Sequence, residues 1–140
     1  MVDLLGMNEN DDKGLEMYAG TAYNTYVENN VGIESPKKLI EMLYEGVLRF
    51  NAQAKKAIKD GNIEKKFYWT NRSVAVIVEL ISILDTKQEG TVVPYLSGLY
   101  NYQIQLLSRA AIEDDTAKID ECSSVFKGLL EAWRETPDVA

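Results

Sequence analysis

Apolar residues recur every three or four positions in blocks between about residue 35 and residue 136, and this spacing restricts the fold more than any other feature. Steps that alternate between three and four residues place each series on one face of an α-helix. The chain is therefore predicted to be all-helical, with these faces in a shared core. The series are Ile40, Leu43, Val47, Phe50, Ala54 and Ala57; Ile63, Phe67, Thr70, Val74, Ile77, Ile81 and Leu84; and Ile119, Cys122, Phe126, Leu129 and Trp133.

Helix-capping residues divide residues 35–136 into four predicted helices. Ser35-Pro36 is a typical start, with serine as N-cap and proline in the first turn. Gly61-Asn62, the polar stretch 86–90 and Asp114-Asp115 separate the helices, since each combines helix-ending and capping residues. The predicted helices are A (36–60), B (63–85), C (91–113) and D (116–135). Short connections make neighbouring helices antiparallel, so we expect an up-down four-helix bundle.

The N-terminal residues differ from this bundle. Residues 1–16 carry five acidic side chains against one lysine, and we expect this extension to be disordered. Residues 17–34 carry Tyr18, Tyr23 and Tyr26. A helix this short is marginal in water by itself. We therefore expect it to form a short helical or extended lid segment packed against the bundle.

Composition excludes most reaction chemistry. The chain has no histidine and one cysteine, so it cannot form a Ser-His-Asp triad or a common zinc site. Its glycines do not cluster into a phosphate-binding loop. We predict no catalytic residues, no metal site, no cofactor and no enzyme activity.

Charge and hydropathy bear on partners and location. The net charge of −7 opposes binding to nucleic acid, whose phosphates repel an acidic chain. No uninterrupted apolar run approaches the length of a membrane span, and the N-terminus lacks the basic region of a secretory signal. A single cysteine agrees with a reducing cytosol, where we place the protein.

Helices A to C carry more apolar residues than one core face requires. A bundle helix needs only about three apolar positions in seven. Exposed apolar patches usually mark binding sites. We therefore expect the surplus residues to line a groove for a partner: Leu39, Tyr44, Leu48, Val76, Leu80 and Ile83.

Several stretches in their order along the chain resemble the FliS family of flagellar secretion chaperones. The most specific is ESPKKLIEMLYEGVLRF (residues 34–50), which follows the tyrosine-bearing AYNTYVENNV (22–31). The less specific matches are AKKAIKDGNIEKK (54–66), GLYNYQIQLL (98–107), DDTAKIDE (114–121) and GLLEAWRE (128–135).

The resemblance implies a cytoplasmic type III export chaperone that binds the C-terminal segment of flagellin. Such a chaperone prevents premature polymerisation and supports delivery to the flagellar export gate. By family position, Tyr18, Tyr23 and Tyr26 contact the partner. The resemblance also implies contacts with the export-gate protein, the flagellar anti-sigma factor and a helical co-chaperone.

Three other functions remain open from the sequence. The chain could be a helical-bundle co-chaperone, or a structural bundle that self-associates into a stable oligomer. As a flagellin chaperone it is expected to be a monomer or weak homodimer. It could also be a small helical enzyme of the mutase type. That enzyme would need several arginines in one cavity, and the chain has Arg49, Arg72, Arg109 and Arg134, about one per helix.

Overall fold

A computed structural model describes residues 36–87 and 92–136, which form four α-helices. The helices are α1 (Pro36–Lys59), α2 (Ile63–Lys87), α3 (Val92–Glu113) and α4 (Thr116–Glu135). The all-α prediction is confirmed, and the helix bounds differ from the predicted ones by at most two residues. The predicted extension (1–16) and lid segment (17–34) lie outside the described residues.

Side-chain contacts show that neighbouring helices run antiparallel. The indole Nε1 of Trp133, near the end of α4, donates to the carbonyl oxygen of Lys37, near the start of α1, at 2.9 Å. Lys66, near the start of α2, pairs with Asp114, after the end of α3, at 2.7 Å. Helix α1 packs against α2 and α4, and α3 packs against the same two helices. Helices α1 and α3 therefore lie on one diagonal of the bundle, and α2 and α4 on the other.

The α1–α2 connection is a glycine-ended helix followed at once by an N-cap. Gly61 has a φ of +70°, a conformation that glycine adopts without steric cost. The Gly61 and Asn62 amides donate to the carbonyls of Ile58 and Ala57, as in a Schellman motif. The Asn62 side chain then accepts from the Lys65 amide and caps α2.

The α3–α4 connection repeats this arrangement with acidic residues. Asp114 has a φ of +55°, and the Asp115 amide donates to the carbonyl of Ala110. The Asp115 carboxylate accepts from the Ala117 amide and is the N-cap of α4. A hydrogen bond from Lys118 and the bond from Ala117 lower the pKa of Asp115. The α1–α2 connection thus has three residues and the α3–α4 connection two, and each ends one helix and caps the next at the predicted residue pair.

The core contains large side chains from all four helices, including Phe50, Ile77, Leu107 and Phe126, each fully buried. Cys122 is buried among them, and burial raises the pKa of its thiol to about 12. The thiol therefore stays protonated at neutral pH. It is a poor nucleophile in this state, because only the thiolate reacts readily.

A buried polar network crosses three helices near the middle of the bundle. The Ser73 hydroxyl on α2 donates to Oδ1 of Asn51 on α1 at 2.7 Å. The Asn51 amide nitrogen donates to the hydroxyl of Ser123 on α4 at 3.1 Å. Since both ends of the Asn51 side chain are satisfied, the network aligns α1, α2 and α4 without an orphaned polar group.

Residues Ile63–Leu84 are long and apolar enough, by length and composition, to cross a membrane. More than half of the most apolar part of this stretch is buried inside the bundle. The core helix of a soluble protein has the same properties, so this stretch is weak evidence for a membrane span.

Candidate functional site

The six residues predicted to line a groove are not open surface in the structure. Five of them are buried members of the core: Leu39, Tyr44, Val76, Leu80 and Ile83. Leu48 is half-buried and packs against the same core. The described part of the structure thus shows no open groove at these positions, and a contact between them and a partner stays a prediction.

For the three groove residues on α2, burial follows from how this helix is rotated about its axis. The series expected to face the core begins with Ile63 and Phe67, but these side chains are 68% and 39% exposed. Thr70 and Ile77 of that series are buried as predicted. Val76 and Leu80, which were predicted as surplus, are buried as well, together with Trp69. Because α2 is apolar around most of its circumference, spacing alone does not decide which face is inside.

Aromatic packing around Arg72 explains the rotation. Trp69 stacks on Phe50 of α1 with ring centroids 5.7 Å apart. The Arg72 guanidinium is fully buried and lies 4.5 Å from the ring centre of Tyr68, with Trp69 and Phe50 within 6.0 Å. Burial lowers the pKa of Arg72. These large groups occupy the inner side of α2, and Phe67 and Val78 lie on its outer side.

This rotation leaves a line of mostly apolar residues along the outside of α2. We call Phe67, Asn71, Val74, Val78 and Ile81 the α2 stripe. Phe67 and Val78 are each 39% exposed. Asn71 is exposed, and Val74 and Ile81 are half-buried. Apolar spacing predicted three of these residues, Phe67, Val74 and Ile81, in the core, and the stripe was not predicted as a site.

Helix α3 has a second exposed apolar surface. Tyr95 and Ile112 are 70% and 72% exposed, and Tyr102 between them is also exposed. Steps of seven and ten residues keep the three on one side of the helix. We call them the α3 face. None of the three was among the residues predicted to contact a partner.

Two glycines lie on open surface. Gly98 of α3 and Gly128 of α4 are exposed, and a Cβ added at either position would contact no atom within 4 Å. Neither glycine therefore lies at a close helix–helix contact. Gly46, in contrast, is buried within α1.

The arginines do not form a site for an anionic substrate. Arg72 is buried against aromatic rings on α2, whereas Arg49, Arg109 and Arg134 are exposed on three other helices. Arg134 pairs with Glu45 of α1 at 2.5 Å. Among the described residues, no group of three His, Cys, Asp or Glu side chains could hold a metal ion.

The family-position residues Tyr18, Tyr23 and Tyr26 lie outside the described residues, so their role stays a prediction. The described surface offers apolar binding area on α2 and α3 and no cluster of reactive side chains. Such a surface can hold the apolar face of a protein segment.

Comparison with known proteins agrees with a binding role. Residues 19–139 match the family model for flagellar protein FliS. The chain is 55% identical over 119 residues to the flagellar secretion chaperone FliS of Campylobacter jejuni, covering 85% of this chain and 93% of that one.

More distant relatives have the same description. The chain is 29% identical to the flagellar secretion chaperone FliS of Salmonella typhimurium, over 85% of this chain and 92% of the relative. It is 28% identical to the FliS chaperone of Bacillus subtilis, over 81% and 84% respectively.

Proposed function

The chain belongs to the FliS family of flagellar secretion chaperones, and from this premise we propose that its client is the C-terminal segment of flagellin. The observation that supports this best is the pair of apolar surfaces, the α2 stripe and the α3 face, on a protein without reactive chemistry in its described residues. A chaperone needs such surfaces to cover apolar residues of its client.

The terminal segments of flagellin form helical contacts with each other in the filament. As monomers they would expose apolar faces that associate prematurely. A helix with apolar residues at i, i+3, i+4 and i+7 can place them along a line of apolar side chains on another protein. The α2 stripe provides a line of this kind, and the α3 face adds three separate exposed apolar side chains.

We assign client contact to these two surfaces and to the lid segment with Tyr18, Tyr23 and Tyr26. The predicted groove residues support the site from inside the bundle, because their side chains hold α1 and α2 in place. If the lid segment covers part of the site in the free protein, client binding must displace it. The free energy of displacement would lower the apparent affinity and favour release of the client.

In this proposal the protein acts in the cytoplasm, where it keeps flagellin from polymerising and supports the delivery of flagellin to the export gate. It works as a monomer or a weak homodimer. We extend the proposal to three further partners that the family resemblance implies: the export-gate protein, the flagellar anti-sigma factor and a helical co-chaperone.

Seeded growth of flagellin filaments, followed by light scattering, tests this function. An equimolar amount of the chain should suppress growth by binding the monomer, whereas the same concentration of serum albumin should not. Filament growth at an unchanged rate in the presence of the chain would contradict the proposal.

A further inference from the structure

The α2 stripe has the spacing of one seam of a coiled coil. From Phe67 through Asn71, Val74 and Val78 to Ile81, the steps are four, three, four and three residues. This is the alternation of a and d positions in a heptad, which turns one face of a helix toward a partner helix. In the bundle this face points outward, since Phe67, Asn71 and Val78 are exposed.

The size of the stripe restricts what it can bind. Its five positions span 14 helical steps, or about 21 Å at 1.5 Å per residue, and a helix is about 10 Å wide. The footprint is therefore on the order of 200 Å², whereas a stable protein–protein interface covers about 800 Å² on each partner. The stripe alone is too small to support a stable dimer of this chain, but it fits one helix of a client that also contacts other surfaces, such as the α3 face.

Asn71 is the one polar residue among the five stripe positions. It lies between Phe67 and Val74, in the apolar line that a bound helix would cover. A polar residue at an a position fixes the register of paired helices, because it needs a polar partner opposite and loses hydrogen bonds when the helices slide.

We propose that the α2 stripe binds one amphipathic helix of the client and that Asn71 sets its register by hydrogen bonding to a polar side chain on that helix. This inference rests on the proposed function and identifies where, and in which alignment, part of the client binds. The hydrogen-bonded register gives specificity, while Phe67 and Val78 provide the exposed apolar contact area.

Fluorescence anisotropy with a labelled flagellin C-terminal peptide tests the site on the full chain. Val78→Asp places a charge in the stripe and should weaken binding at least about tenfold, which corresponds to about 1.4 kcal/mol. Ser124→Asp adds the same charge at an exposed position of α4, diagonally across the bundle, and should leave affinity within about twofold of the wild type. Circular dichroism and thermal melting verify that each variant is folded.

Register is tested by substituting the polar residues of the peptide with valine one at a time. Each should bind the wild-type chain as well as the original peptide, except one that loses affinity. Asn71→Val should weaken binding of the original peptide and restore binding of that one peptide. If no peptide substitution is rescued by Asn71→Val, the register role is overturned.

The outcomes separate the site from the function. If the wild type binds the peptide and Val78→Asp binds equally well, the stripe is not the site, although the proposed function stands. If the wild type does not bind at high micromolar peptide, both proposals are overturned. If Val78→Asp instead abolishes a concentration-dependent dimer seen on a sizing column and leaves peptide binding unchanged, the stripe binds a second copy of the chain and the inference is wrong.

Discussion

The hydroxyl oxygens of Tyr44 and Tyr100 lie 2.7 Å apart and share a hydrogen bond inside the bundle. The bond joins α1 to α3 along one diagonal of the four helices. Phe126 of α4 contacts both rings, edge-on to Tyr44 at 5.8 Å and stacked on Tyr100 at 6.1 Å. Burial raises the pKa of both hydroxyls, so they stay neutral. Tyr44 therefore has a role in holding three helices together, whatever its contact with a partner.

Replacing Tyr44 with phenylalanine should lower the free energy of unfolding by about 1–2 kcal/mol, because the Tyr100 hydroxyl stays buried without this partner. The double variant Tyr44→Phe with Tyr100→Phe should cost less than the sum of the two single variants, because it leaves no orphaned hydroxyl. Urea unfolding of the four proteins measures this coupling. Additive effects would show that the hydrogen bond does not contribute to stability.

Replacing Leu80 with alanine should lower the free energy of unfolding by about 2–5 kcal/mol, the usual range when a large buried side chain is truncated. Phe67→Ser on the α2 stripe should cost markedly less, since Phe67 is partly exposed. Comparing both variants by urea unfolding tests how α2 is rotated. If Phe67→Ser lowered the free energy of unfolding more than Leu80→Ala, the inner and outer faces of α2 would be assigned incorrectly.

The sequence predicted the helix ends well because their signals are local. Gly61-Asn62 and Asp114-Asp115 end one helix and cap the next by hydrogen bonds within a few residues. The rotation of α2 could not be predicted this way, because the helix carries apolar residues on both sides. It depends on packing between Trp69 and Phe50 and on the burial of Arg72, a residue type expected at the surface. The candidate site was missed for the same reason, since the α2 stripe is the face left outside by that packing.

Asp114 combines an unusual backbone conformation with an ion pair. Two substitutions distinguish the contributions of these two features to stability. The Lys66 side chain is only 8% exposed and pairs with Asp114. Asp114→Asn keeps a residue that tolerates positive φ but removes the charge, and should cost about 1–2 kcal/mol. Asp114→Ala should cost more, because alanine also disfavours this conformation. Thermal or urea unfolding that finds the two variants equal would exclude a backbone contribution.

Cys122 should make stability fall as the solution becomes alkaline. Its folded pKa is raised to about 12 from a usual 9.0 because the thiol is buried. Below pH 9 the thiol is protonated in both states and has no effect. Above pH 9 the unfolded chain loses the proton and the folded chain does not, so the unfolded state is favoured.

The comparison of wild type with Cys122→Ala between pH 8 and pH 9.5 isolates this effect from the buried tyrosines, which ionise at higher pH. The stability of the wild type should decline more steeply than that of the variant. Ellman's reagent should also react slowly with the folded wild type at pH 8 and rapidly in denaturant. Rapid reaction in the folded state would show that the thiol is accessible.

Calorimetric titration of the full chain with an unlabelled flagellin C-terminal peptide tests the central claim most directly. The account predicts one peptide bound per chain with submicromolar affinity and a negative heat-capacity change, since the α2 stripe and the α3 face lose contact with water. A peptide from an unrelated amphipathic helix of equal length and charge should bind much more weakly. No heat of binding up to high micromolar flagellin peptide, measured at two temperatures, would contradict the account.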